Sequence, residues 1–189
     1  MSPEHNSSRH DRESVASTAL DLLDEVGLAD LSMRRIAARL DVQPSALYWH
    51  FASKQELLAE LSDRITASIH GIDGGALSIA RRIRDALFAH RDGAELVLST
   101  YALQLGSFDA QVALATALRR DGADDADDRA AAILHFVLGH ATLVQQRMHA
   151  DSHGALPSDA GLDVTEGLDR VFDLGVTALI GSARARASA

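Results

Sequence analysis

Apolar residues recur every three or four positions along most of the chain, which is the spacing of one face of an α-helix. This period predicts nine helical segments, over residues 14–26, 32–40, 44–50, 53–69, 77–90, 93–106, 108–120, 129–149 and 164–180. Local signals mark several ends, including Gly27 after the first segment, Pro44 in the first turn of the third, and a capping box of Ser53 and Glu56 before the fourth. No stretch alternates with a period of two, so we expect an all-α fold.

Composition places the chain among folded globular proteins. It has 189 residues, of which 47% are apolar and 24% charged. The absence of cysteine excludes disulfides and cysteine-bound zinc. The polar N-terminus and the lack of a long apolar run predict a cytoplasmic protein with no membrane partner. The net charge of −9, from 18 Lys and Arg against 27 Asp and Glu, argues against non-specific coating of nucleic acid.

Two short segments near the N-terminus nevertheless indicate DNA recognition. Segments 32–40 and 44–50 are too short to be stable alone, and a three-residue turn joins them, which predicts a helix-turn-helix motif over about 32–51. Four Lys and Arg side chains against Asp41 give residues 32–54 a charge of +3, which leaves −12 on the remainder. The candidate DNA-binding residues lie on or beside the second short helix: Ser32, Arg34, Gln43, Ser45, Ala46, Tyr48, Trp49, His50 and Lys54.

Two other classes of protein are alternatives to a DNA-binding regulator. A DNA-free helical dimerisation module would pack Tyr48 and Trp49 on a neighbour. A small all-helical enzyme would need a nucleophile beside a base, a Gly-rich phosphate loop or paired metal ligands, and we find none of these patterns. We therefore predict no enzymatic activity, no cofactor and no metal. His149 and His153 have the spacing of a helical metal pair, but Gly154 favours a loop and surface histidines.

Three pieces of the motif region form a recognisable pattern: LSMRRIAARL at 31–40, Val42, and ALYWHFASKQELL at 46–58. Together they resemble the N-terminal domain of the tetracycline repressor (TetR) family. AHRDGA at 89–94 and VLGHATL at 137–143 are similar to the ligand-binding domain of tetracycline repressors. The resemblance implies a DNA-binding domain over 9–69 joined by a helix to a larger ligand-binding and dimerisation domain over 70–189. Asp41 departs from the family pattern, which has glycine in the turn.

The resemblance also implies the mode of action. The expected function is that of a ligand-responsive transcriptional regulator, a repressor that binds a palindromic double-stranded DNA operator as a homodimer. A small apolar or aromatic effector would release it. The dimer would form through the helices of about 129–149 and 164–180, which in the family build a four-helix bundle with those of the partner.

The same resemblance bears on the effector. Val97 and Met148 stand where tetracycline repressors hold magnesium with histidine and glutamate, and Ile79 and Leu114 replace polar residues that grip the drug, whereas His70 and Thr100 match. We therefore expect an apolar, metal-free pocket, and an effector other than tetracycline. Tyr101 and His135 would offer hydrogen bonds within an apolar cleft. The candidate pocket residues are His70, Ile79, Ile83, Phe88, Val97, Thr100, Tyr101, Leu114, Leu118, His135, Phe136 and Gln145.

Overall fold

The computed structural model describes residues 10–69, 74–152 and 167–181, and all regular structure within these ranges is helical. This confirms the all-α prediction. The helices are α1 (Arg12–Val26), α2 (Met33–Arg39), α3 (Pro44–Leu47), α4 (Lys54–Thr66), α5 (Ala76–Phe88), α6 (Gly93–Ala102), α7 (Asp109–Arg120), α8 (Ala126–Ser152) and α9 (Leu168–Gly181). A short 3₁₀ turn, Ala67–Ile69, extends α4.

Helix ends differ from the predicted ones where backbone geometry or charge intervenes. α6 stops four residues early because Gln104 and Gly106 adopt positive φ angles of 55° and 80°. α8 begins at Ala126, which puts Asp127 and Asp128 in its positively polarised first turn. It also continues to Ser152, three residues past the predicted end at residue 149. α9 begins at Leu168 rather than 164, and α3 is a single turn that ends at Leu47.

The first four helices pack through one apolar face each. α1 buries Val15, Ala19 and Leu23 against α2 and α4. A capping box that the periodicity did not predict starts α1: the carboxylate of Asp11 accepts the backbone N–H of Ser14 at 2.8 Å, and the Ser14 hydroxyl accepts the backbone N–H of Asp11. The cap thereby satisfies backbone N–H groups at the start of α1, and Arg12 and Glu13 in its first turn pair with side chains of α4.

α8 is the central helix of the C-terminal half. Its buried side chains include Ile133, Val137 and Leu138, and α5, α6, α7 and α9 pack around it. Near its start, the nearly buried Arg129 donates to the carbonyl oxygens of Leu179 and Ile180, at 3.2 and 3.0 Å. These contacts hold the C-terminal end of α9 against the beginning of α8. Of the described helices, none has the length and apolar character needed to cross a membrane.

Candidate DNA-binding surface and ligand cavities

The turn between α2 and α3 is a regular helix-ending motif with an unusual residue in it. Asp41 has a φ of 55°, in the left-handed region that favours glycine. The backbone N–H of Val42 donates to the carbonyl of Ala37 at 3.0 Å, and that of Asp41 to the carbonyl of Ala38 at 3.3 Å. This is the Schellman pattern, and it sets the direction in which α3 leaves α2.

Buried side chains then hold α3 in place. Ile36 and Ala37 of α2, Leu47 of α3 and Phe51 beyond it are all about 1% exposed or less. α3 is too short to be stable without these contacts, because a single turn has few internal hydrogen bonds. Its position therefore depends on the α1–α4 core, and its opposite face is left open.

The two aromatic residues selected from the sequence follow directly after α3, beside this open face. Trp49 is 89% exposed and Tyr48 is 52% exposed, although both are large and partly apolar. Gln43, Ser45 and Arg34 are also exposed. The other candidates are partly buried at the edge of this face: Ser32, Ala46, His50 and Lys54. Ser32 and Gln43 are the N-cap residues of α2 and α3, and the Ser32 hydroxyl accepts the backbone N–H of Arg35.

Ion pairs reduce the positive charge that this surface can offer. Arg39 pairs with Glu25 of α1, and Arg35 lies 3.6 Å from the carboxylate of Asp30. Across the described ranges, no ion pair or side-chain hydrogen bond involves Arg34 or Lys54. The local charge of +3 is thus mostly compensated by neighbouring acids, and Arg34 and Lys54 are the cations best placed for phosphate.

Arg12 supports this surface from α1, a role that the sequence analysis missed. Its guanidinium donates to the carbonyl oxygen of His50 at 2.6 Å, and lies 4.1 Å from the centre of the Phe51 ring. It also pairs with Glu56 and Glu60 of α4, and it lowers the pKa of the Glu56 carboxyl through their hydrogen bond. Arg12 therefore fixes the segment that follows α3, where Tyr48 and Trp49 lie.

Four of the twelve candidate pocket residues surround one narrow cavity between α4 and α8. Ile83, Val97, Thr100 and Tyr101 line it, and its volume is about 20 Å³. The Tyr101 hydroxyl donates to the side-chain oxygen of Gln111 at 2.8 Å. A cavity of this size holds about one water molecule, so these residues are packed together here with no room for an effector.

Most of the other candidates that the structure describes line neither this cavity nor the larger one described below. Ile79, Leu114 and Leu118 are core residues with at most 1% exposure. The expectation that His135 lies within an apolar cleft is wrong. Its side chain is exposed and meets the Tyr101 ring edge-on, because the opposite side of α8 faces the core. Phe136 packs against Phe172 of α9. His70 lies outside the described residues.

A larger cavity of about 350 Å³ lies where the end of α5, the second half of α8 and the start of α9 meet. Phe88 and Gln145 line it as candidates, but Gln145 is engaged in structural hydrogen bonds: its side chain donates to the carbonyls of Leu87 and His90 and accepts the backbone N–H of Ala94. The sequence analysis missed the remaining lining residues: His90, Arg91, His140, Val144, Met148, His149, Leu168 and Asp169.

Metal ligands do not converge in the part of the chain that the structure describes, where no group of three His, Cys, Asp or Glu residues could hold an ion. His149 is half-buried, and its Nδ1 lies 3.4 Å from a carboxylate oxygen of Asp92. His153, its predicted metal partner, lies outside the described residues.

The helical fold and the exposed aromatic residues that follow α3 define a helix-turn-helix DNA-binding regulator. Residues 16–61 match the family model for bacterial regulatory proteins of the tetR family. The tetracycline repressor protein class C of Escherichia coli is 38% identical over 156 residues, which are 75% of this chain and 68% of that protein. The chain belongs to the tetR family, whose members are transcriptional regulators and not enzymes.

Solved structures agree over nearly the whole chain. The crystal structure of Mycobacterium smegmatis BioQ superposes with a TM-score of 0.79 and 37% identity, and covers 92% of this chain and 99% of that one. A crystal structure of BioQ with its double-stranded DNA operator has a TM-score of 0.74 and 32% identity, over 91% of this chain and 99% of that one.

Proposed function

We propose that this protein is a ligand-responsive transcriptional repressor that binds operator DNA through the exposed face of α3 and the residues that follow it. The observation that carries the proposal is Trp49, a large aromatic side chain that is 89% exposed beside Tyr48. Burial in a partner would stabilise such a side chain, and a major groove offers thymine methyl groups and phosphates to the pair. The similar BioQ structure, which contains its double-stranded DNA operator, supports DNA binding as such.

Replacing Trp49 tests the surface. Trp49→Ala should weaken binding to the DNA upstream of the protein's own gene by at least about tenfold, because contacts to base edges are worth roughly 1–3 kcal/mol each. Leu103→Ala is the matched control, since Leu103 is also a large exposed apolar residue, at 62%, but lies beyond α6. A gel shift at moderate salt measures both. Absence of a retarded band for the unmodified protein would contradict the proposal.

We further propose a homodimer formed through α8 and α9, which matches the helices expected at 129–149 and 164–180. Large apolar side chains remain exposed on both helices: Leu143, Met148, Val171 and Leu174. Because α8 and α9 pack on each other, a second copy that packs its own α8 and α9 against them in a four-helix arrangement would bury exposed apolar side chains of this set. A two-fold dimer would present two copies of α3 to a palindromic operator.

Leu174→Asp tests the dimer, because Leu174 is 70% exposed on α9. The charge should shift the protein from dimer to monomer in light scattering, since an unpaired carboxylate is costly to bury. Leu103→Asp should leave the mass unchanged. Equal masses for the Leu174 variant and the unmodified protein would argue against this interface.

The remaining elements of the proposal concern domains, location and effector. We propose DNA binding by residues 9–69 and effector binding and dimerisation by 70–189, in the cytoplasm where operator DNA would lie. Val97, at 7% exposure, and Met148, on the surface of α8, supply no oxygen or nitrogen ligand for magnesium. We therefore expect tetracycline with Mg²⁺ to leave the melting temperature unchanged, whereas binding to the native state would raise it.

A further inference from the structure

The 350 Å³ cavity between α5, α8 and α9 is the larger of the two cavities described above, and the only one of these two with the volume of a small-molecule site. Its apolar walls come from four residues on three helices: Phe88, Val144, Met148 and Leu168. Arg91 and Asp169 add charges of opposite sign at its margin. The lining therefore suits an apolar body and favours neither an anion nor a cation.

His140 supplies a hydrogen-bonding group inside this cavity. Its ring packs against Phe136 and Phe172, with centroid distances of 5.9 and 5.2 Å. In the described part of the chain no hydrogen bond engages its ring nitrogens. Burial, followed by the charge of Arg84, lowers the pKa of His140, so the imidazole is neutral at pH 7. A neutral imidazole can donate one hydrogen bond and accept another.

The wall of the cavity beside α5 is the turn that joins α5 to α6. Gln145 of α8 holds this turn from the cavity side, by donating to the carbonyls of Leu87 and His90 and by accepting the N–H of Ala94. The β-carbon of any other residue at Gly93 would lie 2.5 Å from the Leu87 carbonyl oxygen. The turn is thus tightly fitted, and a molecule in the cavity would press directly on it.

The other side of the same turn holds the end of α1. The carboxylate of Asp24 accepts the backbone N–H of Arg91 at 2.9 Å and lies 3.0 Å from Nδ1 of His90. The Arg91 guanidinium donates to the carbonyl of Glu25, and Asp92 accepts the backbone N–H of Leu28 at 2.8 Å. A displacement of the turn would therefore move α1, on which the position of α3 depends.

We propose that this cavity is the effector site and that it binds a small, flat, uncharged aromatic molecule with one hydrogen-bonding group, which contacts His140. The inference rests on the proposed repressor function and adds a location and a chemical class for the effector. Occupancy weakens operator binding by shifting the α5–α6 turn against the end of α1. The narrow cavity around Thr100 serves as packing in this scheme.

Binding of 2-naphthol, a two-ring aromatic alcohol, tests the site by calorimetry on the full chain. We expect saturable binding of one molecule per chain. Val144→Phe fills the cavity and should weaken binding at least about tenfold. His140→Phe keeps the ring packing but loses the hydrogen bond, so it should weaken binding about fivefold. The matched control is Thr100→Val, which alters the narrow cavity at nearly constant volume and should leave binding unchanged.

The outcomes are distinct. No binding of 2-naphthol to the unmodified protein would overturn the chemical class. If Thr100→Val weakens binding of 2-naphthol and His140→Phe does not, the assignment of the effector site to the larger cavity is overturned. Circular dichroism shows whether Val144→Phe folds, and the comparison of the other two variants holds even if it does not.

Anisotropy of a labelled operator fragment tests the coupling in the same samples. We expect 2-naphthol to weaken operator binding by the unmodified protein. Operator binding by the Val144→Phe variant should be the same with and without 2-naphthol. If the unmodified protein binds the fragment and 2-naphthol but its operator affinity stays constant, the effector role is refuted while the repressor proposal stands. If it binds no operator even without 2-naphthol, the repressor proposal itself fails.

Discussion

Asp41 lies in the left-handed backbone conformation in the turn between α2 and α3, and replacing it with glycine should stabilise the protein. Its φ is 55°, and its backbone N–H donates to Ala38 within the Schellman pattern. This conformation costs a residue with a β-carbon about 1–2 kcal/mol of conformational free energy, whereas it costs glycine almost none. Glycine also gives the unfolded chain more freedom, which offsets about 0.4–1 kcal/mol. We therefore expect a net gain of about 1 kcal/mol for Asp41→Gly.

The assay is thermal unfolding at a fixed protein concentration, in which a gain of this size raises the melting temperature by about 2–4 °C for a chain of this length. Asp41→Asn is the matched control for charge, because asparagine tolerates the left-handed conformation about as well as aspartate. Asp41→Ala keeps the β-carbon and should be no more stable than the unmodified protein. Equal stability of the Ala and Gly variants would refute the backbone argument.

Measurements of operator binding distinguish the effect of the negative charge of Asp41 from the effect of its backbone conformation. Both Asp41→Gly and Asp41→Asn remove a negative charge from the segment that faces DNA, so both should raise operator affinity to a similar extent. At a distance of about 10 Å in water, one charge is worth roughly 0.4 kcal/mol before screening. We therefore expect roughly a twofold to fivefold gain for a dimer at low salt. A gain for the Gly variant alone would show that backbone geometry, and not charge, limits affinity.

Two further predictions concern the C-terminal half. Gly175→Ala should destabilise the protein by about 1–3 kcal/mol in denaturant unfolding, because its β-carbon would lie 2.3 Å from the Phe136 ring, whereas Gly181→Ala at the end of the same helix should change stability little. Burial and the charges of Arg84 and Arg147 lower the pKa of His140, and the charge of Asp169 acts in the opposite direction. As the pH falls, the unfolded chain therefore binds a proton at this histidine before the folded chain does. The contribution of His140 to the free energy of unfolding is present above the ordinary pKa of 6.5 and is lost as the pH falls below it. His140→Phe should lessen the loss of stability between pH 7 and 5.5, and an unchanged loss would contradict the assignment.

The helix-turn-helix motif could be predicted from the sequence because its signals are local. Pro44, the serine caps and the apolar spacing of α2 act within a few residues, and each appears in the structure where expected. The departure at Asp41 was also visible, and the structure shows the positive φ for which the family uses glycine. The one-turn length of α3 was less predictable, since only the α1–α4 core decides where it ends.

The cavities could not be predicted in the same way. Gln145 occupies a position that the sequence analysis assigned to a ligand pocket, but its partners are carbonyl and N–H groups of a turn more than fifty residues earlier. His135 lies one residue from the buried Leu134, and only the packing of the neighbouring helices decides that it faces solvent. The larger cavity depends on the relative placement of α5, α8 and α9, which no periodicity along one helix specifies.

The net charge of −9 limits the number of DNA phosphates that the protein can neutralise. Two cations of the described surface, Arg34 and Lys54, lack an acidic partner there, whereas Arg39 is paired with Glu25. A dimer would then neutralise about four phosphates, so the logarithm of operator affinity should fall with the logarithm of salt with a slope of roughly −4. Lys54→Gln should reduce the slope by about two in the dimer, and Arg39→Gln by less, because its guanidinium already contacts a carboxylate. A slope near −10 would mean that phosphate contacts dominate, and it would refute the view that the exposed Tyr48 and Trp49 carry much of the binding.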